Sequence, residues 1–411
     1  MLQFLAALLL SVLYGYTFYN LPIVAAGVRK ARKKVLVHKE SCKVLPFVSI
    51  IVPAKDEGRV IGRCLESLVG LDYPKDKYEV VVVEDGSKDD TVKICKGFEK
   101  DYFGLVKLVQ KGESKGKPSA LNFGLKFVKG DVVAVFDADN VPSPDVLRKA
   151  MRYFDEESVV AVQGKQCCLN KDENMLTQFV SIEGGLWYES YLKGKDAFGL
   201  FVSITGSCYF VKKDVLESVN GWDSSCLSED MELSAKLVND GHKIKYASDV
   251  VSWQENPASV KQFFNQRARW FRGCMEVAVH YGKLMRKPSL MKLDAEITLV
   301  GSFLIAAGLI GYLMALVSYF VPFIVDSLLI TAFSSFLVTA MLILVGFGLV
   351  YVSKPRSFKS LLWLPFIYLY WMLQTFIAAY ALYQIVFRRP KSWIKTVKTG
   401  KTTDLSLCSS N

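Results

Sequence analysis

The stretch Val132-Val133-Ala134-Val135-Phe136-Asp137-Ala138-Asp139 runs five apolar residues straight into two carboxylates. A short, continuous apolar run rich in β-branched residues reads as a strand buried on both faces. Open α/β sheets built from such strands bind ligands beyond the carboxyl ends of the strands, which is where Asp137 and Asp139 stand. Spaced i, i+2, they can reach one hard cation that bridges diphosphate oxygens, because a magnesium-type ion takes one or two carboxylates with phosphate and water. An isolated Asp-x-Asp is more often a pair of solvated turn residues, so the surrounding sequence has to decide.

On the N-terminal side, residues 47–53 and 78–83 are further apolar runs, separated by helical patterns at 59–71, 90–100 and 119–128. Strands alternating with helices predict a parallel sheet with right-handed crossovers. On the C-terminal side, 159–166 and 243–248 read as more strands, with a helix at 229–239 between them. The second run ends in Glu84-Asp85-Gly86-Ser87. Asp85 can accept hydrogen bonds from a nucleobase or ribose; alternatively Asp85 or Ser87 caps the helix that follows. The first run ends in Pro53-Ala54-Lys55-Asp56-Glu57, next door in a doubly wound sheet, which makes Pro53 and Glu57 donor-site candidates. Lys117 precedes the helix read at 119–128, whose N-terminus favours anions, so it is a candidate for the nucleotide or its phosphates, or else an ordinary surface lysine.

Asp230 follows Ser228 and Glu229 at the start of the predicted 229–239 helix. Transfer of a sugar to a hydroxyl needs a group to take the proton, and a carboxylate can do that. Ser228 capping the helix, with acids in its first turn, is the plainer reading. Gln266, Arg269 and Trp270 are spaced i, i+3, i+4 and share one helix face. That face offers an amide, a guanidinium for phosphate and a ring on which a sugar can stack; an interfacial helix anchored by Trp and Arg has the same pattern.

The 411 residues carry 51% hydrophobic content, concentrated rather than spread. Residues 1–28, 297–352 (apart from Asp326) and 361–387 are nearly free of charge, and a bilayer crossing needs roughly 20 apolar residues. The middle stretch is long enough for two crossings, with 322–327 as the turn. The first segment lacks a basic start and is longer than a signal peptide's apolar part, so it is expected to be a retained anchor. Arg29, Lys30, Arg32, Lys33 and Lys34 follow it at once, placing the next domain in the cytoplasm. No aromatic residues interleave this basic cluster, so the net charge of +11 does not indicate a nucleic-acid partner. The nine cysteines show no disulfide framework, and with three scattered histidines there is no zinc pattern. From Pro257 the pattern turns helical to residue 285, with Val260, Phe264, Phe271, Met275 and Ala278 on one face, as in a helix lying in a membrane interface. Three crossings after a cytoplasmic domain would leave the tail outside, yet the tail is as basic as a cytoplasmic flank. Either one apolar segment is re-entrant, broken at Pro365, or the charge rule fails here. The expected division is therefore an anchor at 1–28, a basic linker at 29–46, the α/β domain at 47–256, the interface helix at 257–293, about three spans at 294–387 and a basic tail at 388–411.

Taken together, Asp85, Asp137-Ala138-Asp139, Ser228-Glu229-Asp230 and Gln266-x-x-Arg269-Trp270 resemble the membrane-integrated family 2 glycosyltransferases related to cellulose, chitin, hyaluronan and poly-N-acetylglucosamine synthases. Lys117-Pro118-Ser119-Ala120-Leu121-Asn122, Thr205-Gly206-Ser207-Cys208 and Trp393-Ile394-Lys395-Thr396 are similar to further family segments. The resemblance implies a GT-A (Rossmann-like) fold, a UDP-sugar donor, Mg2+ or Mn2+, and one inverting displacement giving a β-linkage. It implies that Asp85 contacts uridine, Asp137 and Asp139 hold UDP and the metal, Asp230 is the general base, Arg269 meets the diphosphate and Trp270 the acceptor sugar. Gly206, Ser207, Glu229 and Gln266 would complete the acceptor side. Serine stands where the family usually has threonine before Glu229-Asp230. About four spans is fewer than polymer-secreting members have, so an export channel would need an oligomer or a partner subunit. The expected function is a processive polysaccharide synthase of the cell membrane, multi-pass with its catalytic domain cytoplasmic; the alternative is single addition to a lipid or polyprenyl phosphate. A non-enzymatic scaffold would have lost key acids, and none is lost.

Overall fold

The computed structural model describes residues 2–31, 45–281, 289–320, 336, 339–340, 342–350, 358–391 and 395–401. The chain divides into two compact units, one holding Lys34–Gly184, Phe201–Phe263 and Trp393–Asn411, the other Met1–Lys33, Gly185–Leu200 and Phe264–Ser392.

The first of these is an α/β unit around one eight-stranded sheet. Its strands are β1 (Val48–Ala54), β2 (Tyr78–Glu84), β3 (Val106–Gln110), β4 (Val132–Val135), β5 (Val141–Pro142), β6 (Val159–Cys168), β7 (Tyr209–Lys212) and β8 (Lys243–Gln254). They lie in the order β3-β2-β1-β4-β7-β6-β8-β5. Every residue of β2 and β4 is buried, as their unbroken valine-rich sequences require. β1 pairs in parallel with both β2 and β4. The chain leaves β1 toward β2 and β3, then returns to β1's other edge as β4. That reversal opens a crevice at the carboxyl ends of β1 and β4, the place where such sheets bind ligands.

The sheet is mixed, which corrects the expectation of a parallel one. β7 runs antiparallel to both β4 and β6, and β5 antiparallel to β8. β3, β5 and β7 were absent from the sequence reading. β5 is two residues long and lies at the sheet's edge, where the missing N–H of Pro142 breaks no inner ladder. The helix read at 59–71 spans Ile61–Val69, that read at 119–128 spans Lys117–Leu125, and Glu229–Asn239 matches its expected bounds.

The other unit is helical. It contains Leu2–Ala31, a π-helical turn at Trp187–Leu192, Lys193–Ala197, most of Val260–Tyr281, Leu290–Phe320 and Leu364–Val386. Gly27 lies against the Ser190 carbonyl and Gly194 against that of Ile23, so close that a side-chain carbon at either position would collide with backbone. Two stretches, Leu290–Gly311 and Phe358–Val386, are long and apolar enough to cross a membrane. The turn expected at 322–327 and most of the linker at 29–46 lie outside the described residues. On the helix Val260–Tyr281, Phe263, Ala268, Met275 and Ala278 are buried within the protein, whereas Val260 is 60% exposed.

Candidate active site

The crevice is lined from three directions. The β1 loop is knitted to the β2 loop: the Asp56 N–H donates to Ser87 Oγ at 2.9 Å, Lys88 N–H to Asp56 Oδ1 at 2.6 Å, and Glu57 N–H to Thr91 Oγ1 at 2.8 Å. Asp56 itself holds φ 53, a left-handed conformation that turns the chain so that Glu57 faces back. Asp85 is 3% exposed and does not cap the following helix. Lys111 Nζ donates to its Oδ1 at 3.1 Å and Ser114 Oγ to its Oδ2 at 2.8 Å. Both of its acceptor oxygens therefore already face one hydrogen-bonding loop.

Lys117 is the electrostatic hub on the other side. Its Nζ donates to Asp137 Oδ1 at 2.6 Å and to the Gly206 carbonyl at 2.7 Å, and lies 3.5 Å from Glu229. Gly206 holds φ 81, and a side-chain carbon there would come within 3.2 Å of Asp230 Oδ2. A glycine thus lets the Asp230 carboxylate approach the backbone beside Lys117. Burial pulls the Lys117 ammonium down, but Asp137, Glu229 and Asp230 outweigh it and hold its pKa above the ordinary value. Burial pushes the Asp137 carboxyl up, against the pull of Lys117 and with the help of Asp139. Ser207 is fully buried; its Oγ accepts the Asp137 N–H at 2.9 Å and donates to Asn140 Oδ1 at 3.1 Å. Ser228 precedes its helix without a side-chain cap bond, and Asp230 Oδ1 accepts the Met231 N–H at 2.8 Å. Capping is thus no explanation for the Ser228 hydroxyl.

Of the third wall, the sequence offered only the family-like segment that contains Lys395. The C-terminal segment returns to the sheet and sets Lys398 Nζ 2.7 Å from Asp139 Oδ2 and Lys395 Nζ 3.0 Å from Glu57. Lys395 also donates to the Asp56 carbonyl. Glu255, just past β8, joins these groups: its N–H donates to Asp139 Oδ2 at 3.0 Å, and its side chain takes Arg63 Nη2 at 3.1 Å. Glu255 stands beside Asn256-Pro257, where the helical pattern takes over, which is the one hint the sequence gave of that residue. Nothing local to Lys395 or Lys398 announces a contact with residues more than 250 positions earlier.

Glu57, Asp85, Lys117, Asp137, Asp139, Gly206, Glu229 and Asp230 are thus held on the walls of this crevice, with Pro53 inside β1 pairing Val83. Gln266, Arg269 and Trp270 belong to the helical unit. There Trp270 is 38% exposed, and the Arg267 guanidinium lies over its ring, 4.6 Å from the centroid. Among the described residues no group of three or more His, Cys, Asp or Glu is arranged to hold a metal unaided. Asp137 and Asp139 offer a two-carboxylate oxygen set, which fits Mg2+ or Mn2+ when a diphosphate and water complete the shell.

Comparison with known proteins agrees with this geometry. Residues 46–273, more than half of the chain, match the family described as Glycosyltransferase like family 2. A probable glycosyltransferase, YdaM, of Bacillus subtilis is 32% identical over 68% of this chain and 69% of its own length. A beta-monoglucosyldiacylglycerol synthase of Trichormus variabilis is 32% identical over 65% of this chain and 57% of its own. A poly-beta-1,6-N-acetyl-D-glucosamine synthase of Staphylococcus epidermidis is 28% identical over 60% and 59%. The match therefore spans little more than half the length of the latter two. The fold is that of a mannosyltransferase from Pyrobaculum calidifontis, solved with GDP-Man and Mn2+, which aligns over 95% of this chain and all of its own with a TM-score of 0.66 at 20% identity. With its GT-A-like mixed sheet and this family match, the chain belongs to the family 2 glycosyltransferases and is a glycosyltransferase.

Proposed function

We propose that this enzyme transfers a sugar, with inversion, from a UDP-sugar to the hydroxyl of a growing glycan at the membrane. The observation that carries the reading is the convergence of Asp85, Asp137, Asp139 and Asp230 on one crevice, with Lys117, Lys395 and Lys398 among them. Asp85 would accept from the nucleoside. Asp137 and Asp139 would hold a divalent cation, Mg2+ or Mn2+, which when bound neutralises charge on the diphosphate. The ammonium groups of Lys117, Lys395 and Lys398 add fixed positive charge where the leaving group develops negative charge. Asp230 takes the proton of the acceptor hydroxyl as its oxygen attacks the anomeric carbon and the bond to the diphosphate breaks. By the sequence resemblance, Arg269 meets the diphosphate, while Gln266 and Trp270 receive the acceptor. The two long apolar helices support a multi-pass membrane protein, and the basic cluster from Arg29 to Lys34 favours this unit in the cytoplasm.

A second reading is one addition to a membrane lipid. It is favoured by the diacylglycerol relatives, which are more similar at 32% than the poly-N-acetylglucosamine synthase at 28%. Purified enzyme in lipid nanodiscs, given Mn2+ and each of a panel of labelled UDP- and GDP-sugars, decides between them. Products of many sugars support the glycan reading, and a one-sugar lipid supports the second. Asp230→Asn should lower transfer by about a hundredfold or more while UDP binding persists. Transfer at the parent rate would remove Asp230 from its role.

A further inference from the structure

We propose that Glu255 is a positioning residue that seats the C-terminal segment at the carboxylate pair, an inference that builds on the glycosyltransfer reading above. Glu255 is 1% exposed, and nearly every polar atom it has serves this one junction. Its Oε2 accepts the N–H groups of Thr399 at 2.9 Å and Gly400 at 3.2 Å, and the Thr399 hydroxyl at 3.3 Å. Its carbonyl accepts Lys398 Nζ at 2.7 Å, and its own N–H reaches Asp139. One residue thus holds three consecutive tail residues on one side and Asp139 on the other.

Two successive backbone N–H groups converging on a carboxylate form an anion-binding concavity, and hydrogen bonds to a charged acceptor are about twice as strong as neutral ones. The sequence encodes the seating as well. Gly400 holds φ 65, and a side-chain carbon there would come within 2.9 Å of the Arg59 carbonyl. Only glycine combines that conformation with that approach. A purely structural role for Glu255 would be satisfied by the ion pair of its Oε1 with Arg63. The opposite oxygen, Oε2, is taken by the tail, and that half of the carboxylate is what the proposal concerns. Seating by Oε2 is what brings Lys398 to Asp139 and Lys395 to Glu57.

The test uses the full chain in nanodiscs. In Glu255→Gln and, separately, in Gly400→Ala, deuterium uptake of the peptide spanning 395–401 should quicken by about tenfold, while peptides from β1 and β4 stay protected. Gly400→Ala disturbs the tail without touching the sheet, so it answers even where the Glu255 variant folds poorly. KM for the donor should rise by about tenfold with kcat little changed. Glu255→Gln added to the double variant Lys395→Ala, Lys398→Ala should be no worse than that double variant alone, because all three act through the same segment. Unchanged uptake in both single variants, or effects that multiply in the triple variant, overturns the proposal. Uptake needs no turnover, so a parent protein inert toward every donor would count against the glycosyltransfer reading and leave the exchange result to decide the role of Glu255.

Discussion

Single residues carry most of what the sequence could tell. Asp85, Asp137 and Asp139 stood out because a carboxylate just past a buried apolar strand falls at the carboxyl ends of the strands, where open α/β sheets bind ligands. Asp230 was legible only in company, and the structure adds the physical reason, the bare backbone of Gly206 that lets its carboxylate sit beside Lys117. Lys398 and Glu255 were not legible, and Lys395 stood out only within a family-like segment, since their partners lie across the chain and no local periodicity encodes such a meeting. Glu57 shows what this crowding does to ionisation. Burial pushes its carboxyl up to about 7, opposed by Lys395 and assisted by Asp139. The folded protein therefore keeps a proton that the unfolded chain releases near the ordinary value of about 4.3. The stability this proton contributes is complete below that value and is lost as pH rises through about 7. Glu57→Gln removes the titration. The melting temperature of the parent should accordingly fall, relative to the variant, between pH 5 and pH 8, and parallel melting curves across that range would refute the assignment.

At the scale of elements, strands and helices were read correctly where burial is two-sided or periodicity is long. β2 is buried at every position and was plain; β3, in which only Val106 and Val109 of five residues are buried and no alternation holds, was not. β7 is four residues long and follows the Thr205-Gly206-Ser207-Cys208 turn, too short to stand out from it. Its reversed direction, together with that of β5, makes the sheet mixed, and hydrophobic patterning carries no information about strand direction. The helix Lys117–Leu125 shows how an element delivers a residue. It packs on the sheet through Gly124, where a side-chain carbon would meet Val83 Cγ2 at 2.7 Å and Ile51 Cγ2 at 3.0 Å. Replacing glycine by alanine favours an α-helix by about 1 kcal/mol, whereas overpacking a tight core costs about 1–3 kcal/mol. Both Val83 and Ile51 are fully buried within strands, so neither can retreat and overpacking should win. Gly124→Ala should lower the melting temperature and Gly124→Val should lower it further. A stabilised alanine variant would mean the helix can lift from the sheet without strain.

For the molecule as a whole, the apolar stretches at 297–352 and 361–387 announced membrane-scale helices, and two such helices are present among the described residues. The sequence did not announce how the helical unit holds itself together, because a buried ion pair within it joins residues that look ordinary in their own segments. Asp294 is fully buried and takes Lys195 Nζ on both oxygens, at 2.8 and 2.9 Å, while the Tyr19 hydroxyl donates to it at 2.6 Å. Lys195 is itself 1% exposed. The link fastens the N-terminal helix, the short helix Lys193–Ala197 and the long helix Leu290–Phe320 to one another. Desolvating both charges offsets much of their attraction, so the pair adds little over a well-packed apolar pair; removing one partner, however, strands the other and costs about 3–5 kcal/mol. Asp294→Ala should therefore unfold the helical unit at markedly lower temperature in detergent. Lys195→Met combined with Asp294→Leu should recover most of that loss, although the Tyr19 hydroxyl then gives up its acceptor. A double variant as unstable as Asp294→Ala alone would show that the hydrogen bonds to Asp294, rather than charge compensation, hold the three helices together.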